Sequence, residues 1–152
     1  MLIRKATPED VAIIRKLEHE TETAAHWAER EYDALFAAGA PRRVALLAAE
    51  EADAEIVGFV IARCAADEWE IENVVVAPEQ RRRGVGSALV REAVQEARRS
   101  GAVSVLLEVR ESNADARRLY EKIGFSQVGR RPDYYWNPPE AALLLKISIS
   151  IP

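Results

Sequence analysis

The stretch PEQRRRGVGSAL, residues 78–89, sets Arg81, Arg82 and Arg83 directly before Gly84 and Gly86, between the apolar run NVVV and the apolar-periodic run LVREAVQEA. A glycine-rich turn that leaves a strand and opens a helix converges backbone N–H groups on an anion, and arginines add Coulomb attraction. Carboxylates carry the second signal. Glu108 ends the strand-like VSVLLEV, where alternation puts it on one face with Ser104 and Leu106, opposite Val103, Val105, Leu107 and Val109. Glu68, Glu70 and Glu72 recur at period two, which makes either a solvated strand face or an acidic mouth for a cationic amine. Tyr134, Tyr135 and Trp136 offer aromatic walls for an acceptor groove, although aromatics in a long hairpin also pack down as plugs. Cys64, the single cysteine, lies in an apolar strand pattern and reads as core rather than as a covalent acyl carrier.

These groups need a scaffold. The 152 residues are 49% hydrophobic and 30% charged, which suits one domain over 1–152 with its own core. No long uncharged stretch is present and the first residues carry Arg4 and Lys5 without an apolar run behind them, so a cytoplasmic protein with no membrane partner is expected. One cysteine and two histidines, His19 and His26, are too few for most metal centres, and no metal is expected. Net charge is −4 and the arginines are scattered or confined to one loop, which argues against nucleic acid and for a basic partner.

Pattern and punctuation give the order β-α-α-β-β-β-α-β-α-β-β. A strand over 2–6 leads to a helix over 7–20, with Thr7 as cap, Pro8 at its first position and Asp10 three residues after the cap. A second helix is expected over 27–38, ended by Gly39 and Pro41. Strands over 42–49, 55–64 and 69–76 make an antiparallel meander. A helix over 85–99, a strand over 103–109 and a helix capped by Asn113 and stopped by Gly124 follow. Strands over 125–130 and 142–149 close a hairpin around RPDYYWNPPEA. The fold class is therefore mixed α/β.

Several anions suit the glycine turn. A nucleoside triphosphate loop needs Lys-Ser or Lys-Thr after its last glycine, whereas Gly86 is followed by Ser87 and Ala88. A dinucleotide fingerprint needs a third glycine where Leu89 stands, and a turn straight off the strand where APEQRRR intervenes. What the stretch resembles is the pyrophosphate loop of the GNAT acetyltransferase superfamily, in Arg81-x-x-Gly84-x-Gly86. The resemblance covers nearly the whole chain, because LEVRESNADARRLYEKIGF follows at the family spacing with Asn113, Ala116, Leu119, Tyr120, Gly124 and Phe125. Within the superfamily the chain is most similar to the RimI-type enzymes, in NVVVAP, LEVRESN, HWAEREY and YYWNPPEAALLL. These acetylate the N-terminal alanine of a small-subunit ribosomal protein.

The resemblance implies the GNAT fold, a central mostly antiparallel sheet flanked by helices, and acetyl-coenzyme A as co-substrate. It implies that residues 81–87, Arg81, Arg82, Arg83, Gly84, Val85, Gly86 and Ser87, hold the diphosphate, that the backbone of Val74, Val75 and Val76 pairs with the pantetheine arm, and that Asn113 adds a cofactor contact to its capping role. It makes Glu108 the base and Tyr120 the acid that protonates the departing thiolate. Trp27, Glu70, Glu72, Tyr134 and Tyr135 are the expected acceptor-binding residues, and a protein N-terminus such as that of a ribosomal protein is the expected partner. The alternatives are a small amine such as a polyamine or aminoglycoside, or a non-catalytic acyl-coenzyme A binding module. Glu108 and Tyr120 together speak against the last.

Overall fold

The computed structural model describes residues 1–21, 27, 29–39, 42–136 and 138–149. His26 and Pro41 lie outside them. Among the described residues seven strands form one sheet in the order β1-β2-β3-β4-β5-β7-β6: β1 (Leu2–Lys5), β2 (Arg43–Ala49), β3 (Ile56–Ala65), β4 (Glu68–Val76), β5 (Ser104–Arg110), β6 (Ser126–Tyr135) and β7 (Glu140–Ser148). Every neighbouring pair is antiparallel except β4 with β5. Among the described residues four helices flank it: α1 (Val11–His19), α2 (Glu29–Ala34), α3 (Val85–Arg99) and α4 (Ala114–Ile123). Among the described residues no helix is long and apolar enough to cross a membrane.

Each face of the sheet carries its own core. On one, Trp69, Ile71, Val105, Leu107 and Val109 pack against Leu89, Val90, Ala93 and Ala97 of α3. On the other, Ile14 and Leu17 of α1 and Tyr32 of α2 pack against Leu47, Phe59, Ile61 and Val75. Helix α3 presents this apolar stripe because its buried residues, Val85, Leu89, Val90, Ala93, Val94 and Ala97, recur at helical spacing.

The first helix begins as expected, but with a single 3-10 turn over Pro8–Asp10 before α1. The Thr7 N–H donates to Asp10 Oδ2 at 2.8 Å, closing the capping box. Two expectations need correction. The second helix is shorter than 27–38: Trp27 lies outside it because its backbone N–H donates to the Glu18 carboxylate at 2.5 Å, and i→i+3 bonds from Leu35 to Tyr32 and from Ala37 to Ala34 end it. The closing hairpin is longer than expected, since β6 continues to Tyr135. Its register slips between Arg131 and Tyr135, where Asp133 takes φ 54, so three residues bulge out of the strand and Tyr134 among them leaves the ladder.

Candidate active site

The site begins at a fault in β4. Ile61 of β3 pairs with Asn73 and Ala62 with Ile71, so Glu72 is an extra residue on β4. The phase of the side chains confirms the slip: Trp69 and Ile71 face the α3 core, then Val74 and Val76 do, while Val75 between them faces the α1 core. Pairing of β4 with β5 runs from Glu68–Ser104 to Ile71–Leu107 and ends one residue before the bulge. A bulged strand bends, and beyond Ile71 the two strands part. The Ala77 N–H donates to the Val57 carbonyl of β3, so alternation turns the N–H groups of Val76 and Val74 toward the gap. The Val76 carbonyl points the same way and accepts from Arg81 Nε at 3.4 Å.

Two clefts meet at this gap. The larger, about 980 Å³, lies on the α3–α4 side and reaches from Arg81, Gly84, Gly86 and Ser87 past Val76 and Val74 to Asn113 and Tyr120. The smaller, about 560 Å³, has Trp27, Glu70 and Tyr134 in its walls. Both are lined by Ile71, Glu72, Glu108, Arg110, Tyr135 and Trp136. The five residues expected at the acceptor thus share one cleft, and Glu108 belongs to both. Two expected cofactor residues do not line the larger cleft. The Val75 side chain is buried in the α1 core, and Arg83 turns to Glu50 at 3.8 Å.

At the loop end of the larger cleft the chain takes left-handed backbone at Arg82 (φ 64) and Gly84 (φ 80) and enters α3 with Gly84 as its cap. The first helical bond of α3 runs from Ala88 N to Gly84 O, so helix geometry leaves the N–H groups of Val85, Gly86 and Ser87 without intrahelical partners. A Cβ on Gly86 would lie 3.4 Å from Leu119 Cδ1 and 3.6 Å from Val76 Cγ2, inside the cleft. Asn113 caps α4, its Oδ1 accepting from the Ala116 N–H at 3.2 Å. Unpartnered N–H groups, a helix N-terminus and nearby arginines fit a diphosphate, and the unpaired edge of β4 fits an amide-bearing arm.

Electrostatics divide the carboxylates at the junction. Glu72 is held by Arg43, whose Nε donates at 2.7 Å and Nη2 at 3.3 Å. Glu108 faces Arg131 at 3.4 Å. Glu70 has its pKa raised by burial and by the neighbouring charges of Glu108 and Glu72. Tyr134 is also shifted up, chiefly because its hydroxyl is directed at the Glu108 carboxylate. Half-buried Tyr120 packs edge-on against Phe125 with centroids 5.9 Å apart, and burial followed by the nearby Tyr135 pushes its phenol up to about 12. Tyr135 stacks on Arg110 at 4.2 Å, and Arg110 pairs with Glu140 at 3.4 Å.

Sequence reasoning missed Arg43, Arg110, Arg131 and Glu18. Only Glu18 leaves a trace, as a carboxylate inside the helical stripe Ile14, Leu17, Thr21, and it is 1% exposed.

A split sheet whose gap joins an anion-binding groove to an acidic, aromatic-walled cleft, with a carboxylate and a phenol at the junction, defines an enzyme of acyl transfer to amines. The profile of the acetyltransferase (GNAT) family matches residues 11–125, and the chain belongs to that family as an acetyl-coenzyme A-dependent N-acetyltransferase. Among its relatives, the [ribosomal protein bS18]-alanine N-acetyltransferase of Salmonella typhimurium is 36% identical over 102 residues, 66% of this chain and 69% of that one. The crystal structure of the ribosomal-protein-S18-alanine N-acetyltransferase from Escherichia coli superposes with TM-score 0.83 at 26% identity, covering 99% of this chain and 95% of that one. A spermidine N-acetyltransferase from Vibrio cholerae superposes with TM-score 0.82 at 18% identity over 97% of this chain and 95% of that one, and shows the fold alone.

Proposed function

We propose that this chain acetylates the α-amine of a protein N-terminus that begins with alanine, with a ribosomal protein as natural acceptor, acting in the cytoplasm as one domain over residues 1–152. The observation that carries the reading is the junction: a cleft for the acceptor opens through the sheet onto the cofactor groove at Glu108. The named activity of the Salmonella relative supports the choice of acceptor.

In this reading residues 81–87 bind the diphosphate, the N–H groups of Val74 and Val76 hold the pantetheine arm, and one of them polarises the thioester carbonyl as negative charge develops on its oxygen. Trp27, Tyr134 and Tyr135 hold the first residues of the acceptor. Glu108 removes a proton from the incoming ammonium. An α-amine, with a reference pKa of roughly 7.7 to 8.0, asks less of that base than a lysine near roughly 10.4. Tyr120 gives its proton to the departing thiolate, and the second proton of the acceptor nitrogen, released as the adduct collapses, restores the phenol. The Tyr120 phenol is a weak acid made weaker by burial, and apolar surroundings disfavour the thiolate in the same way, so burial need not widen the mismatch.

A polyamine acceptor is the second reading, favoured by the convergence of Glu70, Glu72 and Glu108. Two of these three carboxylates face arginines, which leaves less uncompensated negative charge than a polycation would call for. Acetyl-coenzyme A offered with peptides that differ only in residue one, and with spermidine, tests the two readings. The expected result is fastest transfer to the alanine peptide, with the label on its α-nitrogen. Equal rates on spermidine, or label on a lysine side chain, would overturn it.

A further inference from the structure

Arg43, the first residue of β2, ties two walls of the acceptor cleft together. Its guanidinium pairs through both Nε and Nη2 with Glu72, the bulged residue of β4, and its central carbon lies 4.8 Å from the Trp27 ring centroid. The pair is largely shielded, with side-chain exposure of 10% for Arg43 and 19% for Glu72. Trp27 meets Tyr32 at 5.7 Å between centroids, and its backbone N–H donates to buried Glu18. Its ring is therefore held by a planar cation that is itself locked to the fault in the sheet. Lysine would keep the charge toward Glu72 and lose the flat surface that stacks on the indole.

We infer that Arg43 is a positioning residue that fixes Trp27 as a rigid wall and so limits the size of the first acceptor side chain. This rests on the peptide-acceptor reading above. With Arg43 in place the indole cannot swing aside to admit a larger residue one. Without it, the wall yields and the carboxylate of Glu72 is left without its partner. Glu72 borders both clefts, but Trp27 lines the acceptor cleft alone and Arg81, Gly84, Gly86 and Ser87 line only the cofactor groove, so the effect is expected on the acceptor.

The test is steady-state kinetics of wild type, Arg43→Ala and Arg43→Lys on peptides beginning with Ala, Ser, Met, Leu or Phe. In Arg43→Ala the peptide KM is expected to rise about fivefold to tenfold, the scale of a lost guanidinium–ring contact, while the KM for acetyl-coenzyme A stays within about twofold. The preference in kcat/KM for Ala over Leu should fall by about the same factor, with Arg43→Lys falling part of the way. Arg43→Lys retains the ion pair and covers the case in which Arg43→Ala does not fold. An unchanged Ala-to-Leu preference in the variants, or a rise in acetyl-coenzyme A KM as large as that for peptide, would overturn the inference alone. No turnover of any peptide by wild type would overturn the peptide reading, and the inference with it.

Discussion

The Arg131 guanidinium stands 3.4 Å from the Glu108 carboxylate, so the carboxylate at the junction of the two clefts already faces a cation supplied by the β6–β7 hairpin. An incoming ammonium must compete with it. Arg131 is 55% exposed and Glu108 20%, and a pair so open to water is worth at most about 1 kcal/mol, a factor of about five in affinity. Arg131→Ala is therefore expected to lower the KM for a peptide acceptor by about twofold to fivefold at neutral pH, where the amine is mostly protonated. Raising ionic strength screens both the Arg131–Glu108 pair and the attraction of the ammonium to Glu108, so the two effects oppose each other in wild type and the peptide KM of the variant should rise more steeply with salt. A KM that rises in Arg131→Ala would mean that the arginine holds Glu108 for catalysis instead of competing for it.

Tyr120→Phe should reduce kcat by about a hundredfold with acetyl-coenzyme A affinity within about twofold, since the hydroxyl acts as the thiolate leaves. The pH profile carries a sharper expectation. A phenol donates from its protonated form, which is populated below its pKa, and burial raises that pKa to about 12. The wild-type rate should then rise with pH to a plateau and show no alkaline decline below about pH 10. A decline centred near pH 9 would identify another acid.

What the sequence made legible here was local. The glycine turn and the Asn113 cap are spelled out within a few residues, because positive φ and capping are chemistry of the nearest backbone. The bulge was hidden. In WEIENVVV the three valines satisfy either phase of a period-two pattern, so a slip of one residue at Glu72 leaves no mark on the hydrophobic alternation. Arg43 was equally silent, since its partner Glu72 lies 29 residues away and only the register of β2, β3 and β4 brings the two together. Trp27 was read as helical from its spacing, although a long-range bond to Glu18 decides its place.

Gly84 provides a test of the loop. Its φ of 80 suits glycine, and a Cβ there would meet nothing within 4 Å, so the constraint is conformational rather than steric. An ordinary L-residue in this region costs roughly 1–2 kcal/mol, a β-branched one more, and asparagine less. Calorimetry with coenzyme A should find Gly84→Asn within about threefold of wild type and Gly84→Val weakened by about tenfold or more. Wild-type affinity in Gly84→Val would mean that the loop backbone does not hold the diphosphate.

The N-terminal corner offers a stability prediction. Asp10 is held down to about 2 from an ordinary 3.8, first by its hydrogen bonds from Arg4 and then, against the effect of burial, by the Thr7 N–H. For a carboxylate whose folded pKa is depressed, the stabilisation is complete above the unfolded value and is lost as pH falls toward the folded one. Asp10→Asn should therefore lower unfolding free energy by about 1–2 kcal/mol at pH 6, with partial exposure of the pair keeping the figure modest. The difference between the two proteins should shrink between about pH 4 and pH 2. Urea titrations of both across that interval measure it, and a difference independent of pH would show that the ion pair contributes nothing to the cap.

Glu108→Gln separates the base from the acceptor. If Glu108 takes the proton of an α-ammonium, its amide replacement should lose about a hundredfold in kcat/KM near pH 7, the lower end of what general-base catalysis contributes. The loss should not be uniform in pH. An α-amine with a reference pKa of roughly 7.7 to 8.0 is largely deprotonated by about pH 9, and a nucleophile that arrives neutral needs no base to begin its attack. The variant's rate should therefore climb by about tenfold between pH 7 and pH 9 and narrow its gap to wild type. A lysine or polyamine nitrogen near roughly 10.4 gains about a hundredfold in free amine over the same interval yet stays mostly protonated, so the variant's rate on it should climb steeply and reach no plateau by about pH 9, whereas the rate on the peptide levels off. Two profiles, wild type and Glu108→Gln, measured on the alanine peptide and on spermidine, give the comparison. A constant gap on the peptide would remove Glu108 from the role of base and pass that role to Glu70, whose raised pKa and position in the acceptor cleft make it the next carboxylate to test.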